Sequence, residues 1–373
     1  MKTRLAALAT VATFAACGPP GPDVADFQTY LVYDYDPDAN DYHLHEAEIR
    51  TLTTPQRVDG ELAFLRGGGS LVTVNPDPNT REEFAEMIEV RGHREPSAEY
   101  LVRDDVAIPY DFDTQMMVTL YHHLERANDY FEGAGFDTDR IGRLPVYYSP
   151  QVSVLGLSLP LLTDNAAYAF TLDAFIIPPR VVLTDDVPLM ANRGVIVHEY
   201  GHAVFNRIVL DDQRAPDIMF TSYTEQARNE IRSLDEGLAD LFAALALEDP
   251  DFISPSISAE EFEIDRDLSR KRIWDVAFNS EVLASLSAPG GPNPYLLGSL
   301  IASTLWAARD FLDDDTLARV ALETMGDIRL PQPSFQLWDF FNAFLDRVPP
   351  DTRDQTCDLF RDRLPLIEMT LDC

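Results

Sequence analysis

The stretch Val195-Ile196-Val197-His198-Glu199-Tyr200-Gly201-His202-Ala203-Val204-Phe205-Asn206-Arg207-Ile208 decides how the chain is read. Its apolar residues, with no proline between Gly194 and Ile208, predict a buried helix that Asn192 can cap. Residues four apart share a helical face, so His198 and His202 can turn imidazole nitrogens toward one ion. Glu199 lies about 100° further round the helix from His198, placed to reach a water at the metal without ligating it. Gly201 costs the helix about 1 kcal/mol relative to alanine, which predicts a close-packed neighbour.

With only seven histidines in the chain, the H-E-x-x-H spacing favours a metal clamp over a core helix with two satisfied histidines. Zinc in a hydrolytic site usually takes three protein ligands and keeps one position for water. The helix-favouring run Ser233-Leu234-Asp235-Glu236-Gly237-Leu238-Ala239-Asp240 offers the third. Glu236 and Asp240 lie one turn apart on one face, which fits a ligand and a carboxylate that holds a histidine's other N–H. The competing reading makes Ser233 and Glu236 a capping box at a helix start.

HEYGH followed by DEGLAD resembles the gluzincin metallopeptidases, especially the fungalysin and thermolysin relatives, where a helical E-G-x-x-D supplies the glutamate ligand and its supporting aspartate. The resemblance implies zinc on His198, His202 and Glu236, Asp240 behind them, Glu199 as general base, and hydrolysis of an internal bond in a peptide or protein substrate. No third histidine or Met-turn follows, which argues against the metzincins. The segment between His202 and Glu236 is longer than in thermolysin, so Leu210 to Arg232 is expected to be a loop or lid. Asn128-Asp129-Tyr130-Phe131 to Gly135 resembles the fungalysin helix before the active-site sheet.

Asn165-Ala166-Ala167-Tyr168 is similar to the N-A-x-W/Y edge strand of the same group, which implies that Asn165 and the backbone at Ala166 hold an extended substrate. A plain edge strand is the alternative. In fungalysins a later helix carries H-x-x-G, whose histidine donates to the tetrahedral intermediate. Tyr295-Leu296-Leu297-Gly298 places a tyrosine there. Tyr295 either substitutes as oxyanion donor or only packs a helix start. In the second case the chain is a catalytically impaired peptidase-like lipoprotein with a binding or structural role.

Residues 1–17 combine Lys2 and Arg4 with a short apolar run ending at Cys17, which reads as an export signal and not a membrane span. Phe14-Ala15-Ala16-Cys17 resembles a bacterial lipobox, so Cys17 is the expected lipidation site and residues 18–25 a tether. Gly18 leans toward the outer membrane. An ordinary secretory signal with an incidental cysteine is the alternative. The other two cysteines, Cys357 and Cys373, are expected to pair, closing a loop of about 17 residues that would stabilise by about 3 kcal/mol.

Composition, with 46% hydrophobic residues, fits a globular enzyme of two lobes. The formal net charge of −34 excludes nucleic acid as a partner class and favours solubility and cation binding. An α+β fold is predicted: a β-rich N-terminal region over 26–109, a thermolysin-like mixed lobe over 110–209 with the edge strand and zinc helix, and a mainly helical lobe over 210–373. The carboxylates spaced over Asp34–Asp41 make calcium a second candidate ion. They lack the glycine and glutamate of a calcium loop and read as a hairpin turn. His43 and His45 read as exposed strand residues. His122 and His123, being adjacent, are expected to point one to the surface and one to the core. Arg270, Lys271 and Arg272 read as a solvated basic face.

Overall fold

The computed structural model describes residues 28–36, 41–75, 78–154, 157–160, 166–177, 187–219, 222–257, 265–287 and 292–373. The expected signal and tether, including Cys17, and Asn165 lie outside them. Helices and strands mix along the chain, giving an α+β molecule.

The first strands are β1 (Thr29–Asp36), β2 (Asp41–Glu48), β3 (Leu52–Thr54), β4 (Asp59–Gly60), β5 (Ala63–Gly67) and β6 (Ser70–Thr73). After the short helix α1 (Arg81–Ala85) come β7 (Ile88–Arg91), β8 (Tyr100–Arg103) and β9 (Val106–Pro109). β1 alternates buried Tyr30 and Val32 with less buried neighbours and pairs antiparallel with β2 up to Asp36 opposite Asp41. Asp34 and Asp36 on β1 and Asp41 on β2 therefore lie on paired antiparallel strands, and residues 37–40 are outside the described residues. His43 is exposed and His45 half-buried on β2.

Helix α2 (Phe112–Gly133) starts at Asp111, whose side chain accepts the Thr114 N–H, and it is buried along nearly its whole length. Beyond it run β10 (Leu144–Tyr148), β11 (Gln151–Val154), β12 (Leu157–Pro160), β13 (Ala167–Ala169) and β14 (Ala174–Ile177). A six-stranded sheet has the order β13-β14-β10-β5-β4-β3. β10 pairs parallel with β5, Leu144 opposite Ala63 through Tyr148 opposite Gly67. The sheet thus joins strands from both sides of the boundary expected near residue 109. The reason is burial: Ala63 and Leu65 on β5 and Leu144 and Val146 on β10 form one apolar face. Such long-range parallel pairing leaves little local trace in sequence.

The site-bearing helices follow. α3 (Arg193–Ile208) is capped by Asn192, whose Oδ1 accepts the N–H groups of Gly194 and Val195. α4 (Glu225–Leu247) is capped by Thr224, which accepts from Ala227. Ser233 is therefore an interior, fully buried residue of α4 and not its cap. The expected loop between the two motifs also ends earlier, at Thr224. Then come α5 (Val276–Leu286), α6 (Pro294–Trp306), α7 (Asp314–Asp327), α8 (Leu337–Arg347) and α9 (Arg353–Arg363).

α3 and α4 approach closely because Gly201 has no Cβ: one placed there would sit 3.1 Å from the Cα of Ala239. At the α4–α6 crossing, a Cβ on Gly237 would lie 2.6 Å from the carbonyl oxygen of Gly298. Both glycines buy proximity at the cost of helix propensity. Cys357 and Cys373 are bonded, with Cα atoms 5.7 Å apart, and tie the C-terminus to α9. Among the described residues no helix is long and apolar enough to cross a membrane.

Candidate metal centre

Where α3 crosses α4, His198 Nε2 and His202 Nε2 lie 3.0 Å apart, and Glu236 Oε2 lies 3.4 and 3.5 Å from them. Donor atoms around a tetrahedral zinc, with bonds of about 2.0–2.1 Å, are separated by about 3.3 Å. The far side of each ring is held by a carboxylate: His198 Nδ1 is 2.9 Å from Asp240 Oδ1, and His202 Nδ1 is 2.8 Å from Asp235 Oδ1. Carboxylates only accept, so each Nδ1 carries the proton and each Nε2 turns a lone pair inward. Glu236 Oε2 is buried and makes no hydrogen bond. Two imidazole nitrogens and a carboxylate oxygen facing one point fit a divalent cation, and the same residues form a metal-competent group by position.

The electrostatics run the same way. Burial opposes charge on His202, yet Asp235 and Glu236 hold its pKa well above the ordinary value. For His198, burial and His202 push the pKa down, but Asp240 and Glu236 outweigh them and it stays raised. Burial would raise the Glu236 carboxyl, and the two imidazoles hold it well below its usual range. Burial likewise opposes ionised Asp240, which Arg266 and His198 keep depressed. The Asp235 carboxyl stays raised, because burial exceeds the pull of His202. A point that so favours positive charge suits a divalent ion, whose binding releases the imidazole protons.

Arg266 is buried and grips Asp240 through both Nε, at 3.1 Å, and Nη2. Its guanidinium lies 4.8 Å from the centre of the Tyr295 ring. If these donors hold zinc, Asp235→Ala and Asp240→Ala are each expected to lower its affinity by about 10- to 100-fold. Competition with a chelator measures this. Asp235 is the cleaner position, because losing Asp240 also strands the buried Arg266 charge. Unchanged affinity in Asp235→Ala would show that its contact with His202 does not orient the ring.

Glu199 stands beside the donor set but outside it. Its Oε2 accepts the backbone N–H of Tyr168 on β13 at 2.6 Å. β13 is the sheet's edge strand, and by alternation the backbone of Ala166 faces the same side as that of Tyr168. Arg207 fixes the strand against α3, donating to the Tyr168 hydroxyl at 3.1 Å and to both Asp173 oxygens at 2.8 and 2.9 Å. A cavity of about 330 Å³ opens over these groups, lined by Ala166, His198, Glu199, His202, Glu236 and Tyr295 among others.

No family model matches the chain. No curated protein matches it either. The site is therefore read from its own chemistry.

The structure brings His198, Glu199, His202, Glu236, Asp240, Tyr295 and Ala166 to one place. Asp235, Arg207 and Arg266 are additional residues of the site. Asp235 stood next to Glu236 in the quoted run, but its use required knowing that α4 presents adjacent positions to two different atoms. Arg266 lay in the charged stretch 265–272 with nothing local to separate it from Arg270 and Arg272. Arg270 pairs with Asp265 and Asp267, and Arg272 donates to the backbone oxygens of Asp265, Asp267 and Arg270. Tyr223 donates to the Pro331 carbonyl and does not line this cavity.

The second histidine pair departs from expectation: His122 and His123 are both buried, at 4% and 0% exposure, because α2 is packed on both sides. His122 Nε2 lies 3.3 Å from Asp34 Oδ2, and His123 Nε2 donates to the Ala191 carbonyl at 3.0 Å. Arg193 Nη1, 3.1 Å from Asp34 Oδ2, already supplies the positive charge there. The cluster joins β1 and α2 to the start of α3. Burial pushes the His123 pKa down to about 3, against an ordinary 6.5. The folded state thus disfavours protonated His123, and stability should fall as pH drops from about 6.5 toward 3. The slope from this group is at most about 1.4 kcal/mol per pH unit. Urea unfolding at pH 7 and pH 5 should show the loss, and His123→Gln should reduce it; an equal loss in the variant would assign the acid sensitivity elsewhere.

Proposed function

We propose that the chain is a zinc-dependent metalloendopeptidase of the gluzincin kind, exported and attached to the cell envelope through Cys17. One observation carries the reading: two imidazoles and Glu236 converge, each ring backed by its own carboxylate, while Glu199 stays unligated at an open cleft. A structural zinc is usually closed by four protein ligands and has no use for an unligated carboxylate beside it. The order of edge strand β13, histidine helix α3 and glutamate helix α4 supports a thermolysin-like arrangement of the active-site lobe.

His198, His202 and Glu236 would hold the zinc, which when bound would supply Lewis acidity and lower the pKa of water at this point. The peptide adds along β13, the outermost strand of its sheet. Glu199 takes the proton of the attacking water and passes it to the leaving amine. Tyr295 donates a hydrogen bond to the developing oxyanion. Phe170, Leu210 and Ile218 on the same lining shield the reacting bond from bulk water.

The tyrosine at the donor position favours a second reading, a peptidase-like lipoprotein that binds peptides without turnover. Zinc content and peptide-library cleavage by the purified protein separate them. One zinc per chain is expected, with cleavage of internal bonds that stops on chelation and returns with zinc. A zinc-loaded chain that cleaves nothing leaves the binding reading. The intact mass of the mature protein shows whether Cys17 carries lipid.

A further inference from the structure

Arg232 stands on α4 one turn before Glu236 and lines the same cavity. Its setting is unlike that of the other arginines near the site. Arg266 is buried on Asp240, and Arg207 is spent on Asp173 and Asp212. Arg232 is exposed, and among the described residues it makes no hydrogen bond or ion pair. Asp235, three positions on, is occupied by His202. Beside the polar groups of the centre, the same cavity carries apolar Phe170, Leu210, Pro216, Ile218 and Met219.

In a chain with 63 acidic side chains against 29 basic ones, the outer field repels acidic peptides. Among the described residues Arg232 is the one arginine or lysine of this lining, and it is then the group that admits a negative charge. The planar guanidinium matches a carboxylate in a two-bond fork. Resting on the peptidase reading above, we propose that Arg232 selects substrates with a carboxylate close to the scissile bond. An acidic side chain and the free C-terminus of a short peptide share this chemistry.

The test uses the zinc-loaded full chain and peptide pairs that differ only in Glu against Gln at each position flanking the cleaved bond, or in C-terminal acid against amide. The wild type should favour one acid-bearing member by about tenfold in kcat/KM. The position at which the preference falls tells a side chain from a terminus. Arg232→Gln should bring that ratio close to one, and Arg232→Glu should favour Lys there. Equal ratios in wild type and Arg232→Gln would overturn the inference. So would a variant whose zinc affinity changes while the ratio does not, since Arg232 would then only balance the charge of the centre. Calorimetric binding of the same pairs decides the matter even without cleavage: a preference lost in Arg232→Gln keeps the carboxylate role while the peptidase reading falls, and equal binding in the wild type removes both.

Discussion

Glu199→Gln is expected to lower peptide cleavage by about 10²- to 10⁴-fold while leaving one zinc per chain. The substitution preserves size and one hydrogen bond: the Gln oxygen can accept the Tyr168 N–H that Glu199 accepts at 2.6 Å. The amide nitrogen then replaces the second carboxylate oxygen. It cannot take a proton from water, so the loss should fall on kcat and not on metal content. Because Glu199 is outside the set His198, His202 and Glu236, zinc affinity should hold. Metal analysis with kcat and KM for one cleaved peptide measures both quantities. Wild-type turnover in the variant would mean that another group, with Asp235 the nearest alternative on α4, removes the proton.

The geometry that makes this prediction possible was partly written in local sequence. Asn192, the unbroken apolar run after it and the four-residue histidine spacing were enough for α3, and α3 is capped at that residue. The same period on α4 placed Glu236 and Asp240 on one face. Gly201 hinted at a close neighbour without identifying it; Ala239 is that neighbour, 38 positions along the chain and beyond the reach of any helical periodicity. The parts that stayed hidden all depend on pairings distant in the chain. Arg266 reaches Asp240 across 26 positions, and β5 joins β10 across the expected boundary. His122 and His123 are both buried because α2 packs against β1, α3 and the 189–191 turn together. A helix read alone shows one apolar face, whereas a helix between two layers has no surface side to assign.

Tyr295→Phe is expected to lower kcat by about 10²- to 10³-fold, or about 3 to 4 kcal/mol of transition-state stabilisation, with zinc content unchanged. Asn293 accepts the Tyr295 N–H at 3.0 Å and Pro294 opens α6, so the tyrosine is fixed at the first turn with its ring on the cavity. Arg266 lies over the ring and hydrogen-bonds Asp240. Burial, reinforced by the nearby negative charge of Glu236, raises the phenol above its ordinary pKa against the opposing pull of Arg266. The hydroxyl therefore keeps its proton at neutral pH and can donate it in a hydrogen bond without becoming charged. Phenylalanine retains the packing and removes only that donor. A KM change with constant kcat would place Tyr295 in ground-state binding instead. Tyr295→His, which restores the residue type of the fungalysin motif, should recover part of the rate lost in the phenylalanine variant if a donor is what the position supplies. Full activity in Tyr295→Phe would end the donor assignment. Tyr223 would not inherit it, since its hydroxyl is committed to the Pro331 carbonyl in a neighbouring cavity.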